Sequence, residues 1–270
     1  MEPMKFYKYQ GAGNDFLITD NRDGGISLSS RDITFLCDRH YGIGADGLML
    51  LEDSGLYDFR MVYYNSDGSG GMMCGNGGRC IVALAADMGI RHFDFEAADG
   101  FHTAEILENE GNTKTVRLKM KNVDIVKQEN GNSWFIDTGT RHFVQFVQGL
   151  EGYDVPGRGR EIRYRKEYGP AGVNVNFAEI LPDDKTLYVR TYEKGVEAET
   201  YACGTGITAS AIAAWLTRPE VWKTDGNTSV HIPVKALKDR LAVDFIPGTG
   251  MAFTGVWLTG PAVKVAEITL

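Results

Sequence analysis

The chain has only four cysteines in 270 residues, at positions 37, 74, 80 and 203, and none stands in the CxxC pairs of a zinc finger. A chain of this length buries an adequate core without disulfide staples. The cysteines are therefore expected to be thiols in a reducing compartment. The sequence also lacks an apolar run long enough to cross a bilayer, and its opening MEPMKFYKYQ contains no signal-peptide core, so the expected location is cytoplasmic. It has no Lys/Arg block: 36 acidic residues against 28 basic give a formal net charge of −8. That balance argues against nucleic acid or an anionic membrane as the main partner. No segment carries the GKS or GKT of a phosphate loop, and none completes GxGxxG between a strand and a helix. No metal cluster or cofactor signature emerges, and none is expected.

What is present is the composition of a globular protein, with enough Phe and Tyr to make wholesale disorder implausible. Alternating or aromatic-rich segments predict strands at KFYKY, DFLIT, DFRMVYY, HFDFEA, FHTAEIL, TVRLKM and SWFIDT. More follow at HFVQFV, VNVNFAEIL, LYVRTYE, SVHIPV, LAVDFI, MAFTGVWL and AVKVAEI. Short turns such as ENEGN and ENGN favour antiparallel hairpins. A first helix is predicted from Ser29 or Ser30, with Ile33, Leu36, Cys37 and Tyr41 on one side, ending before Gly42. Two further helices are GRCIVALAADM, stopped by Gly89, and ITASAIAAWLTR, stopped by Pro219. Both are Ala-rich and nearly free of polar residues, which suits helices enclosed by sheet. One such helix in each half implies two similar units and an ancient duplication. The predicted class is mixed α/β, largely antiparallel. An N-terminal domain is expected over 1–120, joined by a last strand at about 259–270, and a C-terminal domain over 121–258.

Of the glycine-rich segments, GAGND, GIGADG and PGTG are accounted for as turns that need left-handed backbone. CGNGG, from Cys74, and CGTG, from Cys203, differ because each leads directly into a helix. The first N–H groups and the dipole at that end attract an anion, and the same field favours a thiolate. Cys80 has no counterpart, Ala209 taking its place, and is expected to pack in the core, as is Cys37.

Two thiols in matched settings suit racemisation or epimerisation. One thiolate removes a proton from a chiral carbon while the opposite thiol donates another. A proton beside a carboxylate is only weakly acidic, so the developing charge needs donors, which the N–H groups of Gly75, Asn76, Gly204 and Thr205 can supply. Asn14, Asn65 and Asn174 are candidates to hold a zwitterion, or else to cap their own turns. Glu193 and Lys194 are a further binding pair, or a solvated one.

The segments KYQGAGNDF, GIGADG, FRMVYYNSDGS with CGNGGRC, NVNF and RTYEKGVEAETYACGTG resemble, in order, the motifs of the diaminopimelate epimerase family, across nearly the whole chain. The resemblance implies two similar α/β domains, each with strands around a central helix, and an active site in the cleft between them. It implies interconversion of LL- and meso-2,6-diaminopimelate without pyridoxal phosphate or metal, Cys74 and Cys203 being the acid and base. Asn14, Asn65 and Asn174 would contact the substrate. Gly75 with Asn76, and Gly204 with Thr205, would hold the reacting carboxylate, and Glu193 the ammonium. Family members are commonly homodimers. Three departures from the usual pattern stand out: Lys194 stands where Arg is usual, GTRH stands where GNPH or GSPH is usual, so that Thr140 replaces a common amide ligand and Arg141 the proline while His142 remains, and Gly47 stands where Gln is common. These bear on the distal end of the substrate. A racemase or epimerase of another amino acid is the alternative within the class, and a thiol-based redox or ligand-binding protein the alternative outside it.

Overall fold

The computed structural model describes residues 4–182, 185–222 and 228–270. The chain divides into two compact units, Met1–Leu118 with Gly260–Leu270, and Lys119–Thr259.

In the first unit, β1 (Lys5–Gly11) and β2 (Asn14–Asp20) form a hairpin whose two turn residues, Ala12 and Gly13, both have positive φ. The tight turn this permits is what GAGND encodes. α1 (Ser30–Cys37) starts at a capping box in which Ser29 and Asp32 satisfy each other's backbone N–H groups. It buries Ile33, Leu36 and Cys37, but stops short of the predicted end. The Asp38 carboxylate accepts the N–H groups of His40 and Tyr41 and turns the chain aside, leaving Tyr41 83% exposed. β3 (Gly47–Glu52) was not predicted, because GLMLLE is buried on both faces and shows no alternation; it runs parallel to β2. β4 (Phe59–Asn65), α2 (Gly75–Asp87), β5 (Asp94–Ala97), β6 (Gly100–Glu110) and β7 (Thr113–Lys119) follow.

The second unit contains β8 (Ile125–Asn130), β9 (Ser133–Asp137), β10 (Arg141–Phe146), α3 (Val155–Arg163), β11 (Asn174–Ile180), β12 (Leu187–Glu193) and β13 (Ala198–Thr200). Then come α4 (Gly204–Thr217), α5 (Pro219–Trp222), β14 (Val230–Lys235), β15 (Arg240–Pro247) and β16 (Phe253–Thr269), whose residues from Gly260 onward belong to the first unit. α3 has no strong sequence signature, since VPGRGREIR holds two glycines and three arginines. The Asp154 cap and the burial of Val155 and Ile162 against Phe177 and Tyr192 hold it. β8 and the short β13 were likewise not predicted. MAFTGVWL and AVKVAEI, predicted as two strands, are one 17-residue strand, β16.

Most pairings are antiparallel; β2–β3, β4–β5, β10–β11 and β12–β14 are parallel. In the first unit the order β1-β2-β3-β4-β5-β6-β7 is closed by β16, whose residues from Gly260 onward pair with both β7 and β1. α2 lies against β1, β2, β3 and β6, with every residue from Gly75 to Ala85 buried. In the second unit the order β8-β9-β10-β11-β12-β14-β15 continues to the first part of β16, and an isolated bridge joins Val123 to Phe253. There α4 lies against β9, β10, β11, β12, β14 and β15. Each unit thus wraps strands around one helix whose small side chains allow close approach on every side. Among the described residues no helix is long and apolar enough to cross a membrane.

Candidate active site

Both helices begin earlier than GRCIVALAADM and ITASAIAAWLTR predict. Cys74 and Cys203 are the N-caps themselves, in extended backbone, and GNGG and GTG are the first helical turns. The N–H groups of Gly75, Asn76, Gly204 and Thr205 therefore belong to the turn that has no intrahelical acceptors. Burial enforces these starts: each first turn is enclosed by its own unit, which overrides the low helix propensity of glycine.

Several of the glycines answer to the protein's own packing. A Cβ on Gly206 would lie 2.2 Å from Asn176 Oδ1, and one on Gly78 would lie 3.1 Å from Leu118 Cδ2. A Cβ on Gly77 would meet the Cys74 sulfur at 3.3 Å. Gly47, the first residue of β3, is a glycine because a side chain there would strike the Tyr63 ring at 2.4 Å.

In the first unit, Cys74 Sγ accepts the Gly77 N–H at 3.3 Å. Asn76 Nδ2 donates to Asn14 Oδ1 at 2.6 Å, and Asn14 Nδ2 donates to Asp46 at 3.0 Å. Asn14 is thus tied to the start of α2, with its amide orientation set by Asp46. Behind them lies Arg79, fully buried, its guanidinium donating to Asn76 Oδ1 at 2.8 Å and to the Gly75 carbonyl at 3.1 Å. A cation in the second turn of α2 that reaches back to the first reinforces the field of the helix terminus. The sequence signal for it is a single basic residue ahead of the apolar run CIVALAA. Asn65 behaves differently: its Nδ2 donates to Ser69 Oγ at 3.0 Å within a turn, the capping role that is the alternative for such residues.

In the second unit, His142, Asn174 and Asn176 are brought side by side by the parallel pairing of β10 and β11. Asn174 donates to the Arg141 carbonyl at 3.2 Å and accepts the Lys194 N–H at 2.9 Å, fixing the turn after β12. Burial pushes the Glu193 carboxyl above the usual carboxylate range. His142 is fully buried, and burial, aided by the charge of Lys194, holds it down to about 3. It is neutral at physiological pH. Asn176 is the residue that sequence reasoning misses in NVNF; residues two apart in a strand share a face, so it lies on the face of β11 that carries Asn174. Its Nδ2 donates to the Phe143 carbonyl at 3.1 Å and lies 3.2 Å from His142 Nδ1, while its Oδ1 accepts from Thr191. On the other side of the ring, His142 Nε2 lies 2.9 Å from Thr140 Oγ1; Thr140 donates to Thr205 Oγ1 at 3.2 Å, and Thr205 Oγ1 lies 3.5 Å from Cys203 Sγ. Arg141 is exposed.

All four cysteines are free thiols. Cys37 and Cys80 are buried, and burial raises both, Cys37 to about 11 and Cys80 further. Neither is suited to exchange protons near neutral pH. Among the described residues no group of three or more His, Cys, Asp or Glu is arranged to hold a metal ion.

Residues 6–126 and 134–239 match the family model described as diaminopimelate epimerase. A curated diaminopimelate epimerase from Flavobacterium psychrophilum is 45% identical over 273 residues, spanning 99% of this chain and 100% of the relative. One from Chlorobaculum tepidum is 46% identical over 213 residues, 76% of this chain and 81% of the relative. Among solved structures, a Bacillus anthracis phenazine biosynthesis protein of the PhzF family matches with a TM-score of 0.77 at 15% identity, covering 100% of this chain and 99% of that one. A probable proline racemase from Agrobacterium radiobacter matches with a TM-score of 0.66 at 14% identity, covering 99% and 92%. At such identities these structures establish the shared fold alone.

Proposed function

The chain belongs to the diaminopimelate epimerase family, and on that premise we propose how its residues interconvert LL- and meso-2,6-diaminopimelate. The single observation that carries the reading is that Cys74 and Cys203 are both N-caps of helices enclosed by their own units. Cys74 or Cys203 takes the α proton as thiolate, and the other, as thiol, returns a proton to the opposite face. Inversion demands that the two sulfurs reach opposite faces of one carbon, with one charged and one neutral at the start; their roles exchange in the reverse direction.

Charge that develops on the reacting carboxylate is met by N–H groups of Gly75, Asn76, Gly204 and Thr205, which helix formation has already oriented. Glu193, raised by burial, gains a reason to be charged when a substrate ammonium lies beside it, which supports its role as the ammonium ligand. Asn14 and Asn174 supply further amide contacts, and Asn65 joins them if its turn yields. Lys194 and Arg141 serve the distal carboxylate. Lys194 brings charge without the two-pronged grip of an arginine, so distal recognition leans on both. The same proposal puts the enzyme in the cytoplasm, as a homodimer with no nucleic-acid or membrane partner, acting without a cofactor.

The test is to incubate reduced protein with LL-diaminopimelate in deuterium oxide and follow configuration and label together. The expected result is meso product carrying deuterium at the inverted carbon. Folded, reduced protein that forms no meso isomer and exchanges no label would overturn the assignment.

A further inference from the structure

Two amides in the first unit stand between a cation and a carboxylate, and both ends dictate how they are turned. A guanidinium only donates, so the Asn76 atom 2.8 Å from Arg79 is its carbonyl oxygen. The Asn76 nitrogen therefore faces Asn14 and donates to its Oδ1 at 2.6 Å. That leaves the Asn14 nitrogen toward Asp46, 3.0 Å from Oδ2, and a carboxylate only accepts. Working back from Asp46 gives the same assignment. Turning Asn14 over would set its oxygen against the carboxylate, and turning Asn76 over would set an NH2 group against the guanidinium. Arg79 is anchored by the Gly75 carbonyl at 3.1 Å, and Asp46 by Arg39 at 2.7 Å and the Asp15 N–H at 3.3 Å. The oxygen of Asn14 thus faces Asn76, which is 4% exposed, while its nitrogen faces Asp46, whose side chain is 39% exposed.

We propose that Arg79 and Asp46 are positioning residues that hold the series Arg79, Asn76, Asn14, Asp46 in one direction, so that Asn14 offers the substrate an N–H and takes a carboxylate oxygen, not the ammonium. Asn14 Nδ2 carries two hydrogens; Asp46 uses one, and the other is the hydrogen given. No proton changes place, since every donor keeps its hydrogen. An amide free to turn over would also offer its oxygen, which repels the carboxylate it has to hold. An amide fixed beforehand avoids that and spares the cost of ordering on binding. The inference rests on the reading of Asn14 as a substrate contact and adds what that contact recognises and which residues set it. It also gives a use to Asp46 of GIGADG, a segment that the sequence accounts for only as a turn.

Arg79 is fully buried, so the series is tested from its exposed end, in full-length reduced protein. KM and kcat are measured with LL-diaminopimelate, and the urea midpoint alongside. Asp46→Asn keeps the shape but, with its oxygen toward Arg39, sets an NH2 group against the Asn14 nitrogen and breaks the direction. KM is expected to rise by about tenfold or more, the worth of a hydrogen bond to a charged group, while kcat changes much less. Asn14→Asp combined with Asp46→Asn exchanges the pair at constant formal charge, position 46 now donating to position 14. The urea midpoint should return toward the parent's, while KM stays raised, because position 14 has no N–H to give. A purely structural network would make KM follow the midpoint. Parental KM in Asp46→Asn, or in the exchanged pair, overturns the proposal. With an active parent, either result defeats the positioning series alone; a folded, reduced parent that forms no meso isomer defeats the two-cysteine assignment with it.

Discussion

Cys74 and Cys203 occupy matched N-cap positions with different neighbours: the Gly77 N–H donates to the Cys74 sulfur, and the Thr205 hydroxyl lies 3.5 Å from the Cys203 sulfur. The proposed mechanism requires the two sulfurs to hold opposite charge at the start of a cycle, and unequal surroundings serve it, since identical environments would leave both equally protonated. Replacing either by Ala removes one face of the exchange, and turnover should fall by at least about a hundredfold, the lower end of general acid–base contributions. Steady-state rates in both directions check this; a single mutant with parental rates in both would refute the pairing. Cys80 is the contrast. It is fully buried and its thiol is held neutral, so Cys80→Ala should lower the urea midpoint while leaving epimerisation near the parental rate. A catalytic loss there as deep as that of Cys74→Ala would mean that the wrong thiol of CGNGGRC had been chosen.

The two central helices were recognisable by their alanines, but their first turns were not. Glycine disfavours helix, so the pattern predicts starts at Gly78 and at Ile207, whereas the chain is already helical from Gly75 and Gly204. The reason lies in contacts far along the sequence. The first turn of α4 passes so close to Asn176 that only glycine fits at position 206, and Asn176 is itself held by Thr191, Phe143 and His142. Gly206→Ala sets two effects against each other. Helix propensity gains up to about 1 kcal/mol, whereas overpacking against a fixed amide typically costs about 1–3 kcal/mol. With the amide held from three sides the second effect should win, giving net destabilisation and a weakened His142 network. Urea unfolding decides it, and a Gly206→Ala protein more stable than the parent would contradict the packing account.

At the scale of the whole molecule, the neutral state of His142 links folding to pH. The imidazole has its ordinary value near 6.5 in the unfolded chain and falls to about 3 on folding, driven by burial and then by Lys194. Between those values the unfolded chain binds a proton that the folded chain refuses. The stability contributed by His142 is therefore complete above pH 6.5 and is lost at about 1.4 kcal/mol per pH unit as pH falls toward 3. Denaturant unfolding between neutral pH and about pH 5 should show this slope, and His142→Gln should remove that part of it. Identical slopes in the two proteins would show that His142 is not held neutral.

The sequence by itself determined the chemistry and the class of fold. Strand alternation, Ala-rich helices and two cysteines each placed ahead of one are local patterns, set by residue type and spacing. It also carried the family motifs on which the chain's membership rests. Elements without a local period escaped it: β3, buried on both faces, the Arg-rich α3, and the unbroken run of β16 across Gly260 and Pro261. Only the tertiary structure decided how the site residues are engaged. Asn65 holds its own turn, Asn14 is tied to Asn76, and Arg79 and Asn176 hydrogen-bond to Asn76 and His142. A buried polar group is defined by the partner it finds, and that partner comes from a distant part of the chain. Spacing along the sequence does not carry this information; the pairing of β10 with β11 and the burial of α2 and α4 do.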